Sequence, residues 1–118
     1  MIVPGYDPEG WLDDALKRKP GVPVIILHHR PVIGGFYNNS MHPNWPEKAG
    51  NEWNSLLNSH SNIVAIICSH FHRDELHWIA GIPVYVCPPV VTYFGRQTCL
   101  RVYEYSGGRL SYRTVYIE

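Results

Sequence analysis

The two least polar runs of the chain, Val24-Ile25-Ile26-Leu27 and Ile63-Val64-Ala65-Ile66-Ile67, are short, rich in β-branched residues and bounded by polar or turn residues. That pattern predicts strands buried on both faces. Each run ends in histidine, the first at His28-His29-Arg30-Pro31 and the second at Cys68-Ser69-His70-Phe71-His72-Arg73. Helical spacing of Trp11, Leu12, Ala15 and Leu16 predicts a helix from Trp11 to Lys19. Asp13 and Asp14 lie in its early turns and Lys17, Arg18 and Lys19 in its last, as the helix dipole prefers, and Pro20-Gly21 ends it. Pro46 opens a second helix whose stripe of Ala49, Trp53, Leu56 and Leu57 closes near Asn58 to Asn62. Ile82 to Cys87 is a further strand stopped by Pro88-Pro89, and Leu100 to Tyr105 with Leu110 to Ile117 form a hairpin across Ser106-Gly107-Gly108-Arg109.

The remaining stretches lack periodicity. Met1 to Gly10 holds two prolines and two glycines and is read as a connection, too broken for a helix or an interior strand. Pro31 to Pro46, rich in Gly, Asn and Pro, is a long loop leaving directly from the first histidine pair, placed to form one wall of a pocket. Arg73-Asp74-Glu75-Leu76-His77-Trp78 is read as a polar loop. The resulting order of helix, strand, helix, strand, strand and hairpin predicts one α/β domain (α+β layered) over residues 1–118, with one mixed β-sheet and flanking helices.

Composition narrows the function. With 45% apolar and 17% charged residues, 118 residues suffice for a core without disulfides. Ten basic and ten acidic residues cancel, and no basic run marks a nucleic-acid footprint. Cys68, Cys87 and Cys99 are odd in number and set in apolar contexts, which reads as core cysteines in a reducing, cytoplasmic setting. No apolar stretch approaches the roughly 20 residues of a membrane span.

The chemistry rests on histidine. Open α/β sheets bind ligands at the carboxyl ends of their strands. If the two buried strands are neighbours, His28 or His29 faces His70 and His72 across one crevice, and a spacing of two puts the latter pair on one side of an extended backbone. A lone histidine at a strand end is ordinarily just a satisfied polar residue. Three at two strand ends, two of them as His-x-His, point to a metal centre. His60 at a helix end, and His42 and His77 without partners at ligand spacing, are read as ordinary surface or loop residues.

Leu27-His28-His29-Arg30-Pro31, about forty residues with one helix, and then a buried strand into Ser69-His70-Phe71-His72 resemble the C-terminal half of the calcineurin-like metallophosphoesterases. Val3-Pro4-Gly5-Tyr6-Asp7 and Trp11-Leu12 are similar to the stretch before that half in the branch resembling cyclic-nucleotide phosphodiesterases. The likeness covers nearly the whole chain, with Arg30 in place of the proline of a His-His-Pro-Pro motif and Ser69 in place of the glycine of Gly-His-x-His. The resemblance implies half of a four-layer sandwich and hydrolysis of phosphodiesters or phosphomonoesters by metal-bound hydroxide, with two divalent ions (Fe, Mn or Zn). It further implies that His29 and His70 bind one metal and His72 the other. His28 is then a second-shell or substrate-side residue, and Arg73 a possible phosphate contact.

The family's Asp-x-His, Gly-Asp and Gly-Asn-His motifs have no counterpart in this sequence, and no Asp or Glu occurs from Val22 to Pro46. No residue is therefore assigned as catalytic. The expectation is a shortened member with partial metal occupancy or none, little turnover, and an exposed face covered by self-association or by a missing N-terminal half. Two other classes compete. One is a self-contained three-histidine zinc site with hydratase or hydrolase chemistry; the other is a non-enzymatic, self-associating domain with relic histidines.

Overall fold

The computed structural model describes residues 8–29, 47–69, 74–88 and 98–117. Helix α1 (Pro8–Arg18) leads into β1 (Val24–Leu27), α2 (Glu47–Asn58), β2 (Ile63–Cys68), β3 (Glu75–Ile79), β4 (Ile82–Val86), β5 (Cys99–Ser106) and β6 (Arg109–Tyr116). The fold is α+β. A four-stranded mixed sheet runs in the order β1-β2-β4-β3, with β1, β2 and β4 parallel and β3 antiparallel to β4.

Three expectations need correction. The hairpin β5–β6 is a separate two-stranded sheet and not an edge of the main one, so there are two sheets where one was predicted. Helix α1 begins at Pro8, inside the stretch read as too broken for a helix. Proline suits a first helical turn, because its missing N–H has no intrahelical partner to lose there. Glu75-Leu76-His77-Trp78, read as part of a loop, belong with Ile79 to the edge strand β3. Its polar–apolar alternation is the period of a half-exposed strand, and β4 supplies a hydrogen-bonding neighbour through a tight turn at Ala80-Gly81. Both turn residues have positive φ, 53° and 74°, as do Gly107 (58°) and Gly108 (80°) in the β5–β6 hairpin. Two successive left-handed residues match the right-handed twist of the flanking strands. The glycine pair was legible as a turn; the alanine disguised the other.

One face of the main sheet carries the helices. Ile26, Ile66, Cys68, Ile82 and Val84 are buried against Leu16 of α1 and Trp53, Leu56 and Leu57 of α2, the stripe predicted from helical spacing. Local polar bonds fix the helices to the strands. Asn62 Nδ2 donates to the carbonyls of Lys19 (3.3 Å) and Val22 (2.8 Å), tying the α1–β1 turn to the start of β2. His60 Nε2 lies 2.7 Å from Asp13 Oδ1, and Lys17 Nζ lies 2.7 Å from Asp13 Oδ2. The lysine, with the histidine, holds the Asp13 carboxyl below its usual range.

The opposite face is also apolar. Leu27, Ile67, Tyr85 and Leu76 are register partners in one row across all four strands. The hairpin covers the middle of this row, where Tyr85 meets Tyr103 and Tyr112 edge-on at ring separations of 6.0 and 5.4 Å. Leu27 at 72% exposure and Leu76 at 50% stay open at its two ends, as does Trp78 at 65%. Parallel strands ordinarily have both faces covered. Here the helix side meets that requirement and the outer side does so only in part.

Two substitutions test this description. Leu57→Ala removes a side chain that is only 1% exposed and should lower unfolding free energy by about 2–5 kcal/mol, seen as a lower denaturation midpoint. Ala80→Gly relieves a left-handed alanine and should raise stability by up to about 1 kcal/mol in the same measurement.

Candidate functional site

The parallel β1–β2 ladder continues past both strands. His28 N donates to Ile67 O (3.1 Å) and Ser69 N donates to His29 O (3.0 Å), so the first histidine pair is hydrogen-bonded along the end of β2. On the other side Cys87 N donates to Cys68 O (2.8 Å), carrying the ladder past the end of β4. Because β3 runs antiparallel, its first residue Glu75 pairs with Val86, and Asp74 arrives at the same edge. The carboxyl ends of the three parallel strands, with Asp74 at the start of β3, thus bring His28, His29, Ser69, Cys87 and Asp74 to one end of the sheet, the end at which such sheets bind ligands.

Successive residues of an extended chain point to opposite sides, and the two histidines divide accordingly. The His28 ring packs edge-on against Trp53 of α2, at 5.3 Å between centroids and 67° between planes. His29 is exposed, and its Nδ1 lies 2.9 Å from Ser69 Oγ. Adjacency of the two strands, the condition on which a shared site depends, is met; β1, however, is an edge strand with Leu27 72% exposed and not a strand buried on both faces as expected, because only its helix-facing side is covered. His70, His72 and Arg73 lie outside the described residues, as does His42. Among the described residues no three His, Cys, Asp or Glu side chains cluster so as to hold a metal. His77 and His60 each have a carboxylate partner: His77 Nε2 is 2.6 Å from Glu75 Oε2 on β3, and His60 is bonded to Asp13.

An arginine absent from the sequence reading joins the edge. Arg101 of β5 has a side chain only 1% exposed, and its Nη2 lies 2.7 Å from Oδ2 of the 56%-exposed Asp74. Its Nε donates to Thr114 Oγ1 (3.3 Å), and its guanidinium carbon lies 4.3 Å from the centroid of the Tyr112 ring. The contact with Asp74 is an ion pair without good hydrogen-bond alignment, and among the described residues no acceptor reaches Nη1 or the buried Tyr103 hydroxyl with proper geometry. Burial works against the guanidinium charge, but Asp74 and the neighbouring Tyr103 hydroxyl more than offset it, so the Arg101 pKa is raised. Burial likewise pushes the Tyr103 hydroxyl up to about 12 and the Cys68 thiol up to about 12, and raises Cys87. Raised pKa values favour the neutral thiols over the nucleophilic thiolates. Cys68 and Cys99 are buried as expected of core cysteines, whereas Cys87 is half-buried at the crevice. No sequence signal marked Arg101, because its burial depends on a hairpin folding over the sheet.

No known protein-family model matches the chain, and no curated protein matches it. Among the described residues no helix is long and apolar enough to cross a membrane.

The raised phenol gives a pH prediction. The folded chain holds the Tyr103 proton more tightly than the unfolded chain, so the associated stability is complete below pH 10 and is lost as pH rises toward 12. Tyr103→Phe should flatten the pH 10–12 part of a stability–pH curve measured by denaturant unfolding. The decline that begins near pH 9 from Cys68 should persist.

Proposed function

We propose that this chain is the histidine-bearing part of a metal-dependent phosphoesterase, cleaving a small phosphodiester or phosphomonoester, and that the isolated 118-residue chain has weak activity or none. The observation that carries this reading is the joining of the β1 and β2 ends, with His29 Nδ1 at 2.9 Å from Ser69 Oγ. It sets His29 beside the start of the Ser69-His70-Phe71-His72 motif.

An imidazole with one ring nitrogen held by a hydroxyl fits metal ligation, since metal-binding histidines usually engage a second group through the other nitrogen. His29 would bond the ion through Nε2, with His70 on the same ion and His72 on a second. The two divalent ions, of iron, manganese or zinc, would supply Lewis-acid stabilisation of the phosphoryl oxygens and would acidify water. Ser69 then acts as the group that orients His29, and His28, packed on Trp53, stands behind the site. The fit is partial because the nearby carboxylates are committed elsewhere, Asp74 to Arg101 and Glu75 to His77. A bridging carboxylate would have to come from outside this set. The open ends of the apolar row at Leu27 and Leu76 support a second layer in the complete protein, either a missing half of a four-layer sandwich or another copy of the chain. The three free cysteines fit a reducing, cytoplasmic setting.

Calorimetric titration of the chain with Mn²⁺ and Zn²⁺, alongside turnover of bis(p-nitrophenyl) phosphate, tests the proposal. Weak binding that His29→Ala abolishes and Ser69→Ala weakens by about 10-fold or more is the expected result, with turnover near background. Binding unaffected by His29→Ala would overturn the site. One firmly held zinc with ester hydrolysis or hydration activity would instead favour the self-contained three-histidine centre.

A further inference from the structure

We propose that Arg101 and Tyr103 form an oxyanion-binding subsite for a phosphate group, and that the Asp74 carboxylate occupies it as an intramolecular stand-in. The inference deepens the phosphoesterase reading by naming side chains that would hold the phosphate, and it rests on that reading for the identity of the ester.

The two residues stand two apart on β5, so they share a face of the strand. Among the described residues, buried Nη1 of Arg101 and the Tyr103 hydroxyl have no hydrogen-bond partner of proper geometry, and Nη2 has the ion pair with Asp74. Buried donors in native proteins are nearly always satisfied, and an unsatisfied one marks a place where a water or an anion can bind. Two donors, one of them a charged planar fork, favour an oxyanion over a water molecule, because guanidinium geometry matches the paired oxygens of phosphate or carboxylate. The guanidinium already contacts one such group, Asp74 Oδ2 at 2.7 Å. Asp74 is the solvent-facing member of that pair, at 56% exposure against 1% for Arg101, so an incoming anion meets the guanidinium by displacing it. Asp74 belongs to the carboxyl edge of the sheet, where it immediately precedes β3 and neighbours the end of β4. Thr114 and the Tyr112 ring fix the remainder of the guanidinium, so it is preorganised and its stem need not move.

The subsite is tested on the whole chain in EDTA, so that failure of the metal centre and failure of this inference are distinguishable. Inorganic phosphate and dimethyl phosphate are titrated separately by calorimetry and by the shift in thermal midpoint. Saturable binding of inorganic phosphate alone supports a site for the free anion, and binding of both supports a site for the ester. Asp74→Asn removes the competing charge and should tighten binding by about tenfold, a gain that damage to the fold does not produce. Tyr103→Phe should weaken binding by about fivefold, the loss of one hydrogen bond, and Arg101→Lys should weaken it further. Absence of saturable binding to the parent chain would overturn the subsite, as would affinities unaltered by Asp74→Asn and Tyr103→Phe.

Discussion

The parallel pairing of β1 with β2 is the constraint on which the rest of the molecule depends. Its ladder begins where Val24 N meets Asn62 O at 2.9 Å and runs through Leu27 opposite Ile67. It ends only after both strands have, at the bond from Ser69 N to His29 O. A slip of one residue would exchange the two faces of β1, taking Ile26 out of the core and sending His29 away from Ser69. The same register places Ile26 beside Ile66 under the helices and Leu27 beside Ile67 on the outer face. Core packing thus specifies where the histidines go. Hydrophobic burial on the helix side supplies the energy, and the geometry of the crevice follows from it.

Much of this arrangement was legible in the chain. The short apolar runs ending in His28-His29 and Ser69-His70 marked two strands, of which β2 is buried and β1 is a half-exposed edge, and helical spacing of Trp53, Leu56 and Leu57 marked the face of α2 that covers them. Adjacency of the strands was the step sequence alone could not supply, because pairing is a long-range choice made by the whole core. Strand β3 was missed for a local reason. Its alternating pattern was present, but Ala80 in a left-handed turn gives none of the usual turn chemistry. Arg101 was missed for a non-local reason, since its burial and its meeting with Asp74 need the hairpin and β3 in place together.

The two faces of the main sheet differ in how far they are covered. The helix face is covered by α1 and α2, whereas on the other face the hairpin meets Tyr85 and, through Arg101, Asp74. Leu27 and Leu76, at opposite edges of the sheet, remain open. A second layer laid on that row would approach the end of β1, and with it the crevice at His29. Among the described residues, the exposed ends of the apolar row and the pairing of Asp74 and Glu75 with Arg101 and His77 are both features of this side of the sheet. Arg101 is a cation brought to the sheet edge by the hairpin that, among the described residues, packs on the outer face.

The central claim is that the carboxyl edge of β1 and β2 is a histidine metal centre, and anomalous diffraction tests it most directly. Crystals of the chain grown with millimolar Mn²⁺ would be measured on both sides of the manganese absorption edge. The account predicts an anomalous peak at bonding distance, about 2.0–2.2 Å, from an imidazole nitrogen of His29, with Ser69 still bonded to the other ring nitrogen. A peak only at sites remote from this edge, or no peak at all at saturating metal, would contradict it.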